Sequence, residues 1–408
     1  MLNIIGNFLG TSGYDIHTRS LANALNKLTE VKLSSLVPAG AERLLTDDEL
    51  EMLKRPQDKD EINLIITSPV YWKLHLNAKR NWVFLVWEGD KIPKSFLNEC
   101  MDERIEYIFV ASEHTKKALL NTEKEQNDRI IKDATSTTIK EGDFKGHTLP
   151  YVTFSIKNKI KVIPHGVDLE KFYPNNSQQV GSETVSHGEG SKALHKVPNQ
   201  TETSSAGTFI FLCNKGFRHL EDRGGIQYAV KAYLEEFNDE DVELILKINP
   251  AYGIPNMNVL LEPLKPDKEK LPVIKIIADN IPYDNLVNLY NQSDVFVMPT
   301  RAEAYGIPLI EAMACGKPCI TTNFGGQTDF CNNKNSWIVD GELTEVVWEL
   351  QYEGIKWLTP NLDKLKKSMR EAYTSNKLCI SKGQEAIKTA KQQTWLNSAE
   401  KIKQLMEE

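Results

Sequence analysis

Two glutamates, Glu303 and Glu311, lie eight positions apart in the stretch PTRAEAYGIPLIEAMACGKPCI. The run DVFVMPT predicts a strand and IPLIEAMACG the helix after it, so Glu303 is expected in the loop and Glu311 about one turn into the helix. Gly306 would let backbone N–H groups face a ligand. An acid in a first helical turn complements the helix dipole, which by itself would explain Glu311. It would not explain Glu303, Gly306 and the later TTNFGG loop together, and we therefore predict a binding site here.

Four cations are expected at neighbouring strand ends. Lys215, Arg218 and Arg223 lie in CNKGFRHLEDRGG, between a predicted strand and a helix, and Lys247 closes the next strand, VELILKI. Cations beside a helix start suit a diphosphate, and each charge-assisted hydrogen bond sheltered from water could contribute about 1.5–3 kcal/mol. The alternative is a solvated basic loop. We favour the diphosphate because the four cations converge on strand ends.

Glycines follow the first predicted strand, in GNFLGTSGYDIH. Gly6, Gly10 and Gly13 precede a helix, and the first N–H groups of a helix favour a phosphate. The spacing is GxxxGxxG, and the second strand, VKLSSLV, has no acid at its end to take a ribose, so a nicotinamide enzyme is not favoured. A plain strand-to-helix turn is the alternative interpretation.

Two further strand ends carry polar residues. Glu88 follows the strand NWVFLVW, where a carboxylate could orient an acceptor hydroxyl or accept its proton. The alternative is an acid that caps the next helix. His165 follows the strand in VIPHGVDLEKFYP, where it is either a ligand contact or, as is more common for a histidine at a turn, a structural residue.

The elements that must position these residues alternate between apolar runs and helical stretches, which predicts parallel sheets covered by helices. The pattern stops after KVIPHG and restarts at TFIFLCN. We predict two doubly wound α/β domains, at 1–173 and 207–390, followed by a C-terminal helix at 391–408. Because open parallel sheets bind ligands beyond the carboxyl ends of their strands, the two sheets are expected to face a common cleft.

Two polar stretches interrupt this pattern. Residues 174–206 are rich in Ser, Gly and Asn and lack periodicity, which predicts a flexible insertion at the domain boundary. Residues 121–148 are predicted to be an extended surface loop, within an insertion of the first domain at about 121–158.

Composition excludes several classes of function. The net charge is -7, with 40% hydrophobic and 26% charged residues, and no Lys/Arg-rich block indicates nucleic-acid binding. The scattered cysteines lack CxxC spacing, and Asp239-Glu240-Asp241 lies before a strand, at the wrong end for a ligand, so no metal is expected. The N-terminus lacks the pattern of a signal peptide, and no long apolar run predicts a membrane helix. These features favour the cytoplasm and leave peripheral membrane association open.

The motifs together resemble a known family. EAYGIPLIEAMACGKPCI resembles the E-x7-E signature of retaining glycosyltransferases of family 4, which have the GT-B fold. VIPHGVDLEKFYP is similar to that family's stretch at the end of the N-terminal domain, and LYNQSDVFVMPT is similar to its strand before the first glutamate. TWLNSAEKI is similar to the helix that crosses back to the first domain. The resemblance covers most of the chain, apart from 121–158 and 174–206.

The resemblance implies a role for each predicted residue. Glu303 would face the donor sugar, and Glu311 would accept hydrogen bonds from the ribose of the nucleotide. The backbone N–H groups of Ala304, Tyr305, Gly306 and Ile307 would hold the sugar and phosphates. Basic residues of the 214–224 loop would stabilise the departing diphosphate. The donor-binding set is Gly13, Arg223, Lys247, Ala304, Tyr305, Gly306, Ile307 and Glu311, and the catalytic set is Glu303, Glu88 and Arg218.

The chain departs from the family in two places. Gly224 lies where the family has a diphosphate-binding lysine, so Arg223, Arg218 or Lys247 must supply that charge. Glu88 lies where family members often have a histidine, which leaves the acceptor class open.

The resemblance therefore implies a metal-independent retaining enzyme that transfers a sugar from a nucleotide-diphosphate sugar to a hydroxyl acceptor, in glycan, polysaccharide or glycolipid assembly. The alternatives are a non-catalytic GT-B subunit and another GT-B enzyme, such as an epimerase or a phosphorylase.

Overall fold

The computed structural model describes residues 1–36, 45–57, 61–136, 148, 151–175, 207–217, 219–249, 256–347 and 352–408. Almost all of the predicted insertion at 174–206 lies outside these residues, as does Arg218. Among the described residues, no helix combines the length and apolar character that a membrane crossing requires.

The described part of the N-terminal domain is built on a six-stranded parallel sheet with the order β2-β1-β3-β4-β5-β6. Its elements are β1 (Leu2–Gly6), α1 (Gly13–Asn26), β2 (Val31–Ser35), α2 (Asp47–Lys54), β3 (Ile62–Ile66), β4 (Arg80–Leu85), α3 (Lys94–Cys100), β5 (Ile105–Val110), α4 (Glu113–Ser136) and β6 (Ile160–Val162). The central strands β1 and β3 are buried along their whole length, as strands covered by helices on both faces must be.

One prediction in this domain is wrong. The stretch from residue 121 was predicted to be a surface loop, but α4 continues to Ser136. In the first part of the helix Ala118 and Leu119 are buried, and the rest is mainly polar, with Ala134 buried near its end. A mainly polar helix lacks the apolar periodicity on which the prediction relied, although Lys, Glu and Gln favour helix. The remainder of the predicted loop, up to residue 147, lies outside the described residues.

The described part of the C-terminal domain has a second six-stranded parallel sheet, ordered β12-β11-β10-β7-β8-β9. Its elements are β7 (Phe209–Lys215), α5 (Ile226–Glu236), β8 (Val242–Ile248), α6 (Met257–Leu261), β9 (Val273–Ile277), α7 (Tyr283–Gln292), β10 (Val295–Met298), α8 (Ile307–Ala314), β11 (Cys319–Thr322) and β12 (Ser336–Val339). The predicted strands of both domains are thus confirmed. β9 is at the sheet edge and partly exposed.

A hairpin of β13 (Gly341–Glu345) and β14 (Lys356–Pro360) follows the second sheet and is not predicted by the sequence analysis. It packs against the N-terminal domain. The rings of Trp87 and Tyr352 stack with centroids 5.0 Å apart, and Ile355 lies so close to Gly89 that a Cβ there would clash. The hairpin therefore joins the two domains beside the end of β4.

Three helices complete the chain: α9 (Leu362–Thr374), α10 (Asn376–Gln392) and α11 (Trp395–Glu407). α11 packs on α1 of the N-terminal domain. Arg80 donates to the backbone carbonyls of Leu405 and Met406, and Gly166 leaves no room for a side chain against Trp395. These contacts form a second connection between the domains, in a different hydrophobic cluster from that of the hairpin.

Candidate functional site

Glu303 lies at the centre of an ion-pair cluster. Lys215, the last residue of β7, places its Nζ 2.8 Å from both carboxylate oxygens of Glu303. Arg223, which precedes α5, donates from Nη1 to Oε1 of the same carboxylate at 2.7 Å. β7 and β10 are neighbours in the parallel sheet, so their carboxyl ends bring the cations and the glutamate to one edge.

The two cations decide the charge of Glu303. Burial raises the pKa of its carboxyl, but Lys215 and Arg223 lower it by more, and the net effect is a lowered pKa. Glu303 is therefore an anion at neutral pH although it is buried.

Glu311 lies on α8 in different surroundings. Its Oε2 accepts a hydrogen bond of 2.9 Å from the hydroxyl of Tyr290, and that hydroxyl accepts one of 3.0 Å from Asn214. Burial raises the pKa of the Glu311 carboxyl to about 8, although the Tyr290 hydrogen bond opposes the change. Much of the Glu311 population is therefore protonated at neutral pH, and a ligand that needs the carboxylate would release a proton on binding.

The loop between the glutamates is held tightly. Gly306 has φ of 103°, in the left-handed region that favours glycine, and directly precedes α8 as its N-cap. The backbone carbonyl of Ala304 accepts a hydrogen bond of 2.7 Å from Ser112 of the other domain. A Cβ on Gly326 would collide with that carbonyl, so the predicted TTNFGG loop packs directly on the residues between the glutamates. Ile307 is the first residue of the helix, and Tyr305 is buried, with its hydroxyl bonded to Gln393.

Gly224 explains how Lys215 reaches the cluster. A Cβ built on Gly224 would lie 2.6 Å from Cγ of Lys215. The side chain of Lys215 thus crosses the space that a side chain at 224 would occupy. The sequence analysis places Lys215 in the basic cluster but assigns the missing charge to three other residues.

Two other predicted parts of the donor site, Lys247 and the loop before Gly13, have their polar groups bonded elsewhere. Lys247 is buried and its Nζ donates to the backbone carbonyl of Ile248 at 2.8 Å, so the structure does not bring it to the Glu303 cluster. The N–H groups of the glycine loop before Gly13 already have an acceptor in the same segment. Gly10 and Ser12 donate to the Asp15 carboxylate at 2.8 and 3.0 Å. A phosphate at these groups would have to displace Asp15.

Glu88 lies after β4 and reaches the C-terminal domain. Its Oε1 lies 3.2 Å from Nε of Arg223 and accepts a hydrogen bond of 2.7 Å from the hydroxyl of Tyr352. Its backbone carbonyl accepts a hydrogen bond of 2.9 Å from His114. The carboxylate is therefore part of the same cluster as Glu303, joined to it through Arg223.

His165 is buried in an aromatic cluster. Its ring centroid lies 4.2 Å from that of His17 and 5.3 Å from that of Tyr305. Burial lowers its pKa to about 3, against a small opposing effect of Glu303. It is therefore neutral at physiological pH and packs as an aromatic residue.

No group of three or more His, Cys, Asp or Glu side chains in the described part of the chain is arranged to hold a metal ion. Glu240 of the dismissed Asp239–Asp241 stretch is bonded to Arg370 at 2.9 Å.

The hydroxyl of Tyr290 contacts Glu311 and that of Tyr352 contacts Glu88, and neither tyrosine was predicted. Tyr290 lies in LYNQSDVFV, which the sequence analysis used only for its strand, and Tyr352 lies in the unpredicted hairpin. A tyrosine that bonds a distant carboxylate leaves no pattern in the sequence around it.

The family comparison matches the C-terminal domain. Residues 271–375 match the model of a family described as glycosyl transferases group 1. The chain is 25% identical over 189 residues to a D-inositol 3-phosphate glycosyltransferase of Corynebacterium urealyticum, covering 46% of this chain and 41% of that protein. It is 25% identical over 228 residues to a probable sucrose-phosphate synthase of Thermosipho melanesiensis, covering 54% and 45%. The matches thus span less than half the length of these two relatives.

Solved structures show the same fold over the whole chain. A sucrose-phosphate synthase from Thermosynechococcus elongatus superposes with a TM-score of 0.61 at 15% identity, over 99% of this chain and 97% of that one. The Anabaena protein HepE, solved in complex with UDP-glucose, superposes with a TM-score of 0.63 at 12% identity, over 100% and 99%. Residues 271–375 of the C-terminal domain are thus similar to the group 1 glycosyl transferases, and the chain has the GT-B fold of these solved structures.

Proposed function

We propose that the chain is a retaining glycosyltransferase that moves a sugar from a nucleotide-diphosphate sugar to a hydroxyl acceptor. The observation that carries the proposal is the convergence of Glu303, Glu311, Lys215 and Arg223 at the carboxyl edge of one sheet. This set combines acceptors for sugar hydroxyls with cations for a diphosphate. The matches to proteins named as glycosyltransferases support it.

Each end of the donor has a matching group in this arrangement. Glu311 takes the ribose hydroxyls, and Glu303 faces the donor sugar. Lys215 and Arg223 bind the diphosphate and stabilise the charge that develops on it as it leaves. Lys215 takes the part that the resemblance assigns to a lysine at 224, because its side chain crosses the space above Gly224. Arg218 and Lys247 remain predictions for the same role.

In the transfer step, the bond between the sugar C1 and the diphosphate oxygen breaks, and a bond from the acceptor oxygen to C1 forms on the same face. The acceptor proton passes to the leaving diphosphate. Glu88 orients the acceptor hydroxyl from the other domain. We further propose that the acceptor is a glycan, polysaccharide or lipid-linked sugar and that the protein is cytoplasmic.

The mechanism we propose requires no metal, because the side chains of Lys215 and Arg223 supply the positive charge. Turnover in excess EDTA is therefore expected to equal turnover without it. A loss of activity in EDTA that is restored by Mg²⁺ or Mn²⁺ would contradict this part of the proposal.

The donor is tested first by thermal shift with UDP, GDP and ADP and their sugars. UDP-glucose heads the series because the Anabaena structure contains it. One nucleotide is expected to raise the melting temperature in a saturable way. No shift with any of them would favour a non-catalytic GT-B subunit.

Retention is tested by proton NMR of the sugar released by slow hydrolysis of UDP-glucose. The α-anomer is expected to appear before mutarotation equilibrates it. Initial release of the β-anomer would show inversion and overturn the retaining mechanism.

A further inference from the structure

The Glu303 cluster extends across both domains. Arg223 of the C-terminal domain contacts Glu303 through Nη1 at 2.7 Å and Glu88 of the N-terminal domain through Nε at 3.2 Å. One guanidinium thus holds two carboxylates, one from each side of the cleft.

The charges in this cluster are balanced without a donor. Among its described residues, the carboxylates of Glu303 and Glu88 face the cations of Lys215 and Arg223, so the formal charges cancel. A nucleotide diphosphate would bring further negative charge into a partly buried site, where like charges repel strongly. The Nε of Arg223 that faces Glu88 is one of the donors for which a diphosphate would compete.

The hairpin fixes Glu88 in this position. The Tyr352 hydroxyl donates to the same Oε1 of Glu88 that lies nearest Arg223. The N–H of Lys356 on β14 donates to Asp90 at 2.7 Å, which holds the loop that carries Glu88. The hairpin is itself tied to the Glu303 loop, because Leu358 donates its N–H to the carbonyl of Arg301 at 2.8 Å.

We propose that Glu88 is an interdomain latch that competes with the donor diphosphate for Arg223, and that Tyr352 is the residue that positions the latch. The inference rests on the proposed function, since it assigns the diphosphate to Arg223. The donor then binds when the domains separate and Glu88 leaves Arg223, and closure returns Glu88 to the sugar and the acceptor. Domain closure of this kind assembles the site around a bound substrate.

If Glu88 is the latch, its substitution should raise the affinity for UDP and lower the turnover of UDP-glucose. Glu88→Gln removes the competing charge but keeps the shape of the side chain. We expect the affinity for UDP, measured by calorimetry, to rise about five- to tenfold, while turnover of UDP-glucose falls. An unchanged or lowered UDP affinity overturns the latch.

Tyr352→Phe removes only the hydroxyl and keeps the ring that stacks on Trp87. We expect it to raise UDP affinity about two- to threefold in the wild-type background and to have no effect in the Glu88→Gln background. If Tyr352 only packs the hairpin, its substitution changes affinity equally in both backgrounds, and the positioning role is overturned. Tyr107→Phe is the matched control, because its hydroxyl bonds an exposed glutamate, Glu408, and its affinity is expected to be that of wild type.

A second readout does not depend on nucleotide binding. Without nucleotide, Glu88→Gln is expected to have a larger radius of gyration by small-angle X-ray scattering than the wild type, at an unchanged melting temperature. A wild type that binds no UDP, GDP or ADP would overturn the donor assignment of the proposed function, whereas the scattering difference would still establish that Glu88 holds the domains together. An unchanged radius of gyration overturns the latch even if UDP binds.

Discussion

Glu303 and Glu311 are equally buried, each with 6% of its surface exposed, and yet their carboxyl groups are in opposite states. Lys215 and Arg223 lower the pKa of Glu303, whereas Glu311 is bonded to the neutral Tyr290 hydroxyl and burial raises its pKa to about 8. The difference comes from the neighbours, because burial alone would raise both pKa values.

The different charge states of Glu303 and Glu311 suit them to different chemical roles. A permanent anion such as Glu303 can stabilise positive charge at a reacting sugar without gaining or losing a proton. A carboxyl such as Glu311, which titrates near neutral pH, couples ligand binding to proton release. We therefore expect the two glutamates of one motif to have separable effects on turnover and on binding.

The largest effect is expected for Glu303→Gln. Turnover should fall by about 10²–10³-fold, because the transition state loses its nearest anion. UDP affinity should be kept or raised, since Lys215 and Arg223 remain to bind the diphosphate and lose a carboxylate that competes for them. The measurements are initial rates with UDP-glucose and calorimetry with UDP.

The control for this variant is Glu269→Gln, which changes an exposed glutamate of the same domain. Its turnover and affinity should equal those of wild type. A Glu303→Gln variant that loses UDP binding but keeps turnover would reverse the roles assigned to the two acids.

The next effect concerns the pH dependence of binding. If the Glu311 carboxylate accepts the ribose hydroxyls, UDP-glucose affinity should rise by up to about tenfold per pH unit below pH 8 and level off above it. UDP-glucose is the suitable probe because its phosphates are diesters and do not titrate between pH 6 and 9. Glu311→Gln should bind about tenfold more weakly at pH 8.5 and show no pH dependence. Equal slopes of UDP-glucose affinity against pH in the wild type and in Glu311→Gln would show that Glu311 does not bind the ribose.

Stability should depend on pH with opposite signs for the two acids. The folded pKa of Glu311 lies above its ordinary value of 4.5, so the folded state binds more protons and stability falls as pH rises from about 4.5 to 8. The folded pKa of Glu303 is lowered, so its contribution is present above its unfolded value and is lost as pH falls through the folded value.

These opposite slopes are measured as melting-temperature differences between wild type and each Glu→Gln variant from pH 4 to 9, without ligand. We expect differences of a few degrees. Subtracting the Glu311→Gln curve removes the contribution of His165, whose pKa is lowered and which therefore favours folding as pH rises. Glu303 acts on His165 directly, so the Glu303→Gln difference retains part of that contribution. Slopes of the same sign for both variants would contradict the comparison.

The smallest effect is expected for Tyr290→Phe. The hydroxyl of Tyr290 lowers the pKa of Glu311, so its loss should move the midpoint of UDP-glucose binding about 0.5–1 pH unit upward. Tyr107→Phe should leave the midpoint unchanged. A downward shift would mean that the hydroxyl favours the protonated form of Glu311.

The parallel strands were predictable because each is a short apolar run bounded by polar residues. β7, β8 and β10 were located by this signal, and with them the edge at which the site lies. The position of Glu303 in a loop and of Glu311 within α8 followed from the same reasoning. The family resemblance then supplied roles that spacing alone could not.

The second half of α4 and the hairpin β13–β14 were missed for physical reasons. The helix has a mainly polar surface, so its residues show no strong apolar period. The hairpin is stabilised by residues distant in sequence, including Trp87 and Arg301. Lys247 ends its strand as predicted, but the direction of its side chain is set by the backbone carbonyl of Ile248.

Local sequence patterns were enough to predict two parallel α/β sheets and to place Glu303, Glu311, Lys215 and Arg223 near the carboxyl edge of the second sheet. These follow from local patterns, because strand ends and helix starts depend mainly on neighbouring residues. Three features could be seen only in the folded chain: Lys215 crosses the space above Gly224, Glu88 contacts Arg223 of the other domain, and the two glutamates differ in charge. Each of these depends on distances between residues far apart in the chain, and electrostatic energies change steeply with such distances.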